Sequence, residues 1–127
     1  MYKFLENPPE LQINKVLYSN KSMPVHVRLE QRIVWNLLKA LEDKCFRPVA
    51  VDDSEEVTRV TSKVAAMELL FNLDDAYLIL KHDTETDQKV WVRLVFGNGV
   101  DVISDFAATN QHGFENVMDK FDAEEYA

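Results

Sequence analysis

The stretch AYLILKHDTETDQKVWVRLVFGNGVDVIS, residues 76–104, decides the fold class of this chain. It contains three segments rich in β-branched and aromatic residues, Ala76–His82, Lys89–Phe96 and Val100–Ser104, and turn residues separate them. In the middle segment a purely apolar set of side chains alternates with a mixed set, which is typical of a strand with one buried face. The stretch therefore predicts a three-stranded antiparallel meander.

The turn Gly97-Asn98-Gly99 joins the second and third segments. A phosphate-binding loop would be followed by a helix. The dinucleotide fingerprint would also have a third glycine at position 102, but this residue is a valine. The residues after Gly99 alternate as a strand instead. Asn98-Gly99 is a strong signal for a type I′ turn because both residues tolerate positive φ. We therefore expect a tight hairpin at this point, with no nucleotide site and no cofactor.

Two helices are predicted to cover one face of the sheet. Apolar residues recur at helical spacing from Val27 to Lys44, with Trp35 either widening the buried stripe or offering an exposed aromatic ring. Asp53-Ser54-Glu55-Glu56 has the form of a capping box, and helical spacing continues from Val57 to Asn72. The second helix is therefore expected to follow directly after the box.

Shorter elements complete the expected fold. Phe46–Val51 is rich in strand formers, and Pro48 is tolerable near a strand start or on an edge, so we expect this strand to join the sheet at an edge. Phe114–Phe121 predicts a short closing helix, and residues 1–26 predict an irregular lead-in because they contain three prolines and no sustained period. The expected class is α+β in a single domain, residues 1–127, with two main helices packed on one face of an antiparallel sheet, a C-terminal three-stranded meander and a short closing helix.

Charge and cysteine content limit the classes of function. The net charge is −8, but residues 1–50 carry +3 and residues 51–127 carry −11. An acidic surface repels phosphate backbones and attracts basic proteins, although acidity also serves solubility alone. The single Cys45 suits a reducing compartment, and the sequence shows neither a signal peptide nor a membrane span. We expect a cytoplasmic protein without direct nucleic-acid or membrane binding.

The sequence contains no catalytic constellation. His26, His82 and His112 are far apart and have no His or Cys neighbour at ligand spacing, so no metal site is predicted. An enzyme would need a site assembled from distant residues, for example Tyr18, His82 and Asp105. We keep that arrangement as the alternative to a binding protein.

The mixed face of the meander is the candidate interface. Strand alternation should bring Tyr77, Ile79, Trp91 and Arg93 together, and aromatic residues with Arg are favoured at protein interfaces. The alternative is that a helix or the N-terminal segment covers these residues. The acidic residues expected around them on the loops and the last strand are Asp83, Glu85, Asp87, Asp101 and Asp105.

The string VWVRLVFGNGVDVISDF, residues 90–106, resembles small acidic proteins of uncharacterised function from phages, prophages and plasmids of bacteria. The resemblance implies a bacterial intracellular setting and an accessory role, and it carries over no catalytic or binding residue. The expected function is a non-enzymatic accessory protein that binds another protein through an acidic surface, with DNA mimicry as the sharper form. A further alternative is a self-associating structural protein that buries the mixed sheet face in a homodimer.

Overall fold

The computed structural model describes residues 25–84 and 88–127. Their five strands form one antiparallel sheet in the order β2-β1-β3-β4-β5, and the predicted α+β class is confirmed. Residues 1–24 of the predicted lead-in lie outside the described residues. The helices and strands in chain order are α1 Val25–Glu42, β1 Phe46–Asp52, β2 Val57–Arg59, α2 Lys63–Leu70, β3 Asp75–His82, β4 Lys89–Val95, β5 Ile103–Phe106 and α3 Phe114–Lys120.

Helix α1 is the element that the sequence predicts best. Ile33, Leu37 and Leu41 on its apolar stripe are all fully buried. Trp35 is only 2% exposed, so it widens the buried face and is not available as an exposed aromatic. The ammonium group of Lys63 lies 4.8 Å from the centre of the Trp35 ring. This contact ties the first turn of α2 to the side of α1.

The predicted second helix is wrong at its start. Asp53 Oδ1 accepts hydrogen bonds from the backbone N–H groups of Glu55 (2.9 Å) and Glu56 (2.8 Å), but these bonds close a turn between two strands. The residues after the turn, Val57–Arg59, form β2 and pair with β1. A capping box and a turn of this kind use the same carboxylate-to-amide bonds, so the following β-branched residues decide between them.

Helix α2 begins at Lys63 and has its own N-cap. Ser62 Oγ accepts a hydrogen bond from the N–H of Ala65 at 3.0 Å. From this cap the helix runs to Leu70, two residues short of the predicted end. Met67 and Leu70 are fully buried, so the C-terminal part of the predicted apolar stripe does face the core.

The edge position expected for β1 is wrong. This strand lies between β2 and β3, and its register shifts between Pro48 and Ala50. Proline has no N–H group to donate, and a bulge is one of the few interior places that tolerate it. After the bulge, Ala50 pairs with Ile79 and Val51 with Leu78, which fixes the side of the sheet on which each β1 side chain lies.

The predicted meander is confirmed as β3, β4 and β5. Strand β5 begins at Ile103, three residues later than expected, because Gly99–Asp101 forms a single 3₁₀ turn. The described helices pack on one face of the sheet, where Phe114 of α3 contacts Phe46 of β1 and Phe106 of β5. The meander side chains on this face, all at most 1% exposed, are Ala76, Leu78, Leu80, Val90, Val92 and Leu94.

Candidate functional site

The face of the sheet opposite the helices is the candidate site, and we call it the outer face. Strand alternation directs the side chains at odd positions of β3 and β4 to this side. Tyr77 pairs with Arg93 and Ile79 with Trp91. These four residues, the central block, therefore adjoin one another as predicted, and each of them is partly exposed.

Contacts within the central block fix the orientation of its rings. Tyr77 and Trp91 meet edge to face, with ring centres 5.4 Å apart and planes at 80°. Arg93 Cζ lies 4.9 Å from the centre of the Tyr77 ring, and its Nη2 is 3.5 Å from Asp75 Oδ1. At this degree of exposure each contact contributes only about 0.5–1 kcal/mol. The contacts therefore fix the orientation of the side chains more than they stabilise the domain.

Three cations lie side by side on the outer face near the β3–β4 connection. Arg47 pairs with Lys81, and Lys81 pairs with Lys89. Like charges directly opposite on neighbouring strands repel each other, so this basic row opposes stability. Arg47 Nε is 3.3 Å from Asp83 Oδ1, an exposed ion pair that offsets part of the repulsion.

Carboxylates gather at the opposite end of the strands. Asp75 and Asp52 belong to the outer face there, and Asp75 lies in a shallow cleft of about 250 Å³ with Asp53, Glu55 and Asp74. The N–H groups of Glu56 and Glu55 lower the pKa of Asp53. No group of three or more His, Cys, Asp or Glu in residues 25–84 and 88–127 is arranged to hold a metal ion. The outer face is thus basic at one end and acidic at the other.

The predicted acidic residues that the structure describes lie at different places around the central block. Asp83 follows β3 at the basic end, and Asp101 lies in the 3₁₀ turn between β4 and β5 at the other end. Asp105 pairs with Arg93. Asp87 and Glu85 lie outside the described residues. Within residues 25–84 and 88–127, the acidic residues near the block are therefore Asp52, Asp75 and Asp105.

The two described residues of the alternative enzyme site, His82 and Asp105, lie on opposite faces of the sheet. Tyr18 lies outside the described residues. His82 is on the helix side of the sheet, where its ring contacts Phe46 with centres 5.1 Å apart, while Asp105 is on the outer face two strands away. These positions leave the Tyr18, His82 and Asp105 arrangement without a common cleft among the residues described.

Two histidines that are far apart in the sequence do meet. The rings of His82 and His112 stack with centres 3.8 Å apart and planes at 9°. His82 Nδ1 accepts the backbone N–H of Thr84 at 3.2 Å and lies 2.7 Å from its hydroxyl. Neither the spacing nor the periodicity of the sequence signals this pair, because it depends on how α3 and the preceding turn fold back onto the sheet.

The glycine turn holds a carboxylate of the chain itself. Glu30 of α1 is 1% exposed, and its Oε2 accepts the N–H groups of Gly97 and Gly99, both at 2.8 Å. The predicted type I′ turn is wrong, since Asn98 has a φ of −104° and only the two glycines have positive φ. The two amide groups that a phosphate would need at this loop are thus bonded to Glu30.

The basic row is the part of the surface that sequence reasoning missed. Lys81 and Lys89 alternate with apolar neighbours, and this pattern predicts that both lie on the outer face. Arg47 joins them only through the long-range pairing of β1 with β3, which the sequence pattern does not show.

No family model, no curated protein and no solved structure matches this chain. Among the residues that the structure describes, none of the helices combines the length and the apolar character needed to cross a membrane.

Proposed function

We propose that this chain is a non-enzymatic accessory protein that binds another protein, and that the outer face of its sheet is the docking surface. The observation that carries the proposal is the combination of the ordered central block with a row of three adjacent cations. A partly exposed aromatic pair beside an arginine is the composition favoured at the centres of protein interfaces.

The charge of the outer face argues for a protein partner over a nucleic acid. The face carries the cations Arg47, Arg59, Lys81, Lys89 and Arg93. Carboxylates occupy the other end of the same face, so the face as a whole lacks the single-sign field that a phosphate backbone requires. The same mixture makes this face unlike the carboxylate array of a DNA mimic. A protein with both charges on its surface fits it better.

The cellular setting belongs to the same proposal. The exposed Cys45 fits a reducing compartment such as the cytoplasm. The resemblance of residues 90–106 to small acidic phage and plasmid proteins supports an accessory role in bacteria.

Site-specific photo-crosslinking tests the docking surface. A photoreactive phenylalanine analogue replaces Trp91 at the centre of the outer face in one protein and Glu68, exposed on α2, in a matched control. We expect one defined protein to cross-link from position 91 in the native host, and Arg93→Glu in the same protein to reduce the yield. The same set of products from positions 91 and 68 would contradict the proposal.

A further inference from the structure

The outer face changes from basic to acidic along the direction of its strands. On β3 the outer-face residues follow in the order Lys81, Ile79, Tyr77 and Asp75. Every second residue of a strand lies on the same face, so these side chains are spaced roughly 7 Å apart. Lys81 is the middle residue of the basic row, and Asp52 lies on the acidic side, where it pairs with Tyr77. A surface with this polarity is complementary to itself when the second copy runs in the opposite direction.

We propose that the partner of the outer face is a second copy of this chain, stacked face to face with antiparallel strands. This inference rests on the proposed function, because it uses the same docking surface. Closed dimers with two-fold symmetry are the commonest soluble oligomers, and their interfaces must be self-complementary.

The register of the sheet allows one arrangement and opposes another. Consider a two-fold axis that lies in the plane between the two sheets, runs perpendicular to the strands and passes between the levels of Ile79 and Tyr77. This axis places Lys81 opposite Asp75 of the second copy. An axis parallel to the strands would instead place Lys81 near its own symmetry mate and stack one basic row on the other. Like-charge juxtaposition at an interface is strongly unfavourable, so the first axis is selected.

The same axis pairs the central blocks. Trp91 comes opposite Arg93 of the second copy, the pairing of an aromatic face with a guanidinium that favours association. Ile79 comes opposite the second Tyr77. Val57 on β2 is 59% exposed. It comes opposite the aliphatic part of the second Arg59 and so loses contact with water.

The size of the outer face sets the strength of the dimer. The distance between strands and the rise per residue give the outer face an area of roughly 500 Å² per copy, so the dimer buries about 1,000 Å² in total. This area is at the lower end of the range for specific interfaces. The dimer should therefore dissociate on dilution. Because charge pairs contribute to it, added salt should weaken it.

A charge-swap experiment by sedimentation tests this dimer. Wild-type protein should shift from monomer to twice the monomer mass with rising concentration. Lys81→Glu and Asp75→Lys each turn both symmetry-related Lys81–Asp75 pairs into like-charge pairs. The dissociation constant of either variant should rise by about tenfold or more per pair. An equimolar mixture of the two variants should form a heterodimer in which both pairs are again attractive.

Two controls separate folding and general charge effects from the interface. Lys120→Glu makes the same charge change on α3 and should leave the dissociation constant of the wild type unchanged. Recovery of the dimer in the mixture shows that both variants fold.

A strictly monomeric wild type, or a mixture that stays monomeric while the wild type dimerises, overturns the inference. Cross-linking from position 91 to a different protein, together with a monomeric wild type, would leave the docking surface standing and remove only the second copy.

Discussion

Replacing Glu30 by Ala removes the carboxylate that joins α1 to the glycine turn between β4 and β5. Two N–H groups, on Gly97 and Gly99, then lose their acceptor. A buried donor left without a partner costs about 1–3 kcal/mol. Gly97 is exposed enough to regain water, whereas Gly99 is only partly exposed. Because the cost falls mainly on Gly99, we expect Glu30→Ala to lower the free energy of unfolding by about 1–3 kcal/mol.

Glu30→Gln is the matched variant for the same contact. Its amide oxygen still accepts hydrogen bonds, but bonds to a neutral acceptor are about half as strong as bonds to a carboxylate. The expected loss is therefore smaller, about 0.5–1.5 kcal/mol. Glu68→Ala, an exposed change on α2, should stay within about 0.5 kcal/mol of the wild type.

Urea denaturation followed by circular dichroism measures these differences at one pH. The slope of the free energy against urea should be unchanged, because each variant exposes the same surface on unfolding. A free energy for Glu30→Ala within about 0.5 kcal/mol of the wild type would refute the claim that this carboxylate holds the turn.

Three further predictions concern the turn and cap residues. Ser62→Ala should cost about 1 kcal/mol in urea denaturation because α2 loses its N-cap, and an unchanged value would place the start of α2 elsewhere. Asp53→Asn should be less stable than the wild type at neutral pH. Since hydrogen bonds lower the folded pKa of Asp53, this difference should be complete above about pH 4 and vanish as the pH falls through that lowered value, whereas a difference that persists in acid would contradict it. Gly99→Ala should cost about 1–2 kcal/mol in the same denaturation assay, because a side chain disfavours the left-handed backbone at this position. Gly99 has a φ of 61°, and the added Cβ would meet only Leu29 Cδ2 at 3.8 Å, so a neutral result would show that the turn relaxes.

Local patterns predicted most of the sheet and α1. The alternation in Lys89–Val95 is visible without knowing its partners, and adjacent strands of a meander pair through short connections. The buried stripe of α1 is equally local. These elements could be predicted because each one's own periodicity agrees with its final environment.

Contacts between distant residues explain what the sequence did not predict. Glu30 is 67 residues from Gly97, and its two hydrogen bonds favour a turn different from the one that Asn98-Gly99 adopts by itself. The basic row needs the pairing of Arg47 with Lys81, and the start of α2 needs the pairing of β2 with β1. Local propensity gave no access to the first two, whereas the β-branched residues after Glu56 did favour a strand before α2.

Fluorescence of Trp91 tests the docking surface most directly. The chain has two tryptophans, so Trp35→Phe leaves Trp91 as a single reporter at the centre of the outer face. If the outer face is a docking surface, acrylamide quenching of Trp91 should fall as the protein concentration rises. Quenching of Trp35 in a Trp91→Phe control should stay low at every concentration. The outer face is not a docking surface if quenching of Trp91 stays constant with concentration and also on addition of any protein cross-linked from position 91.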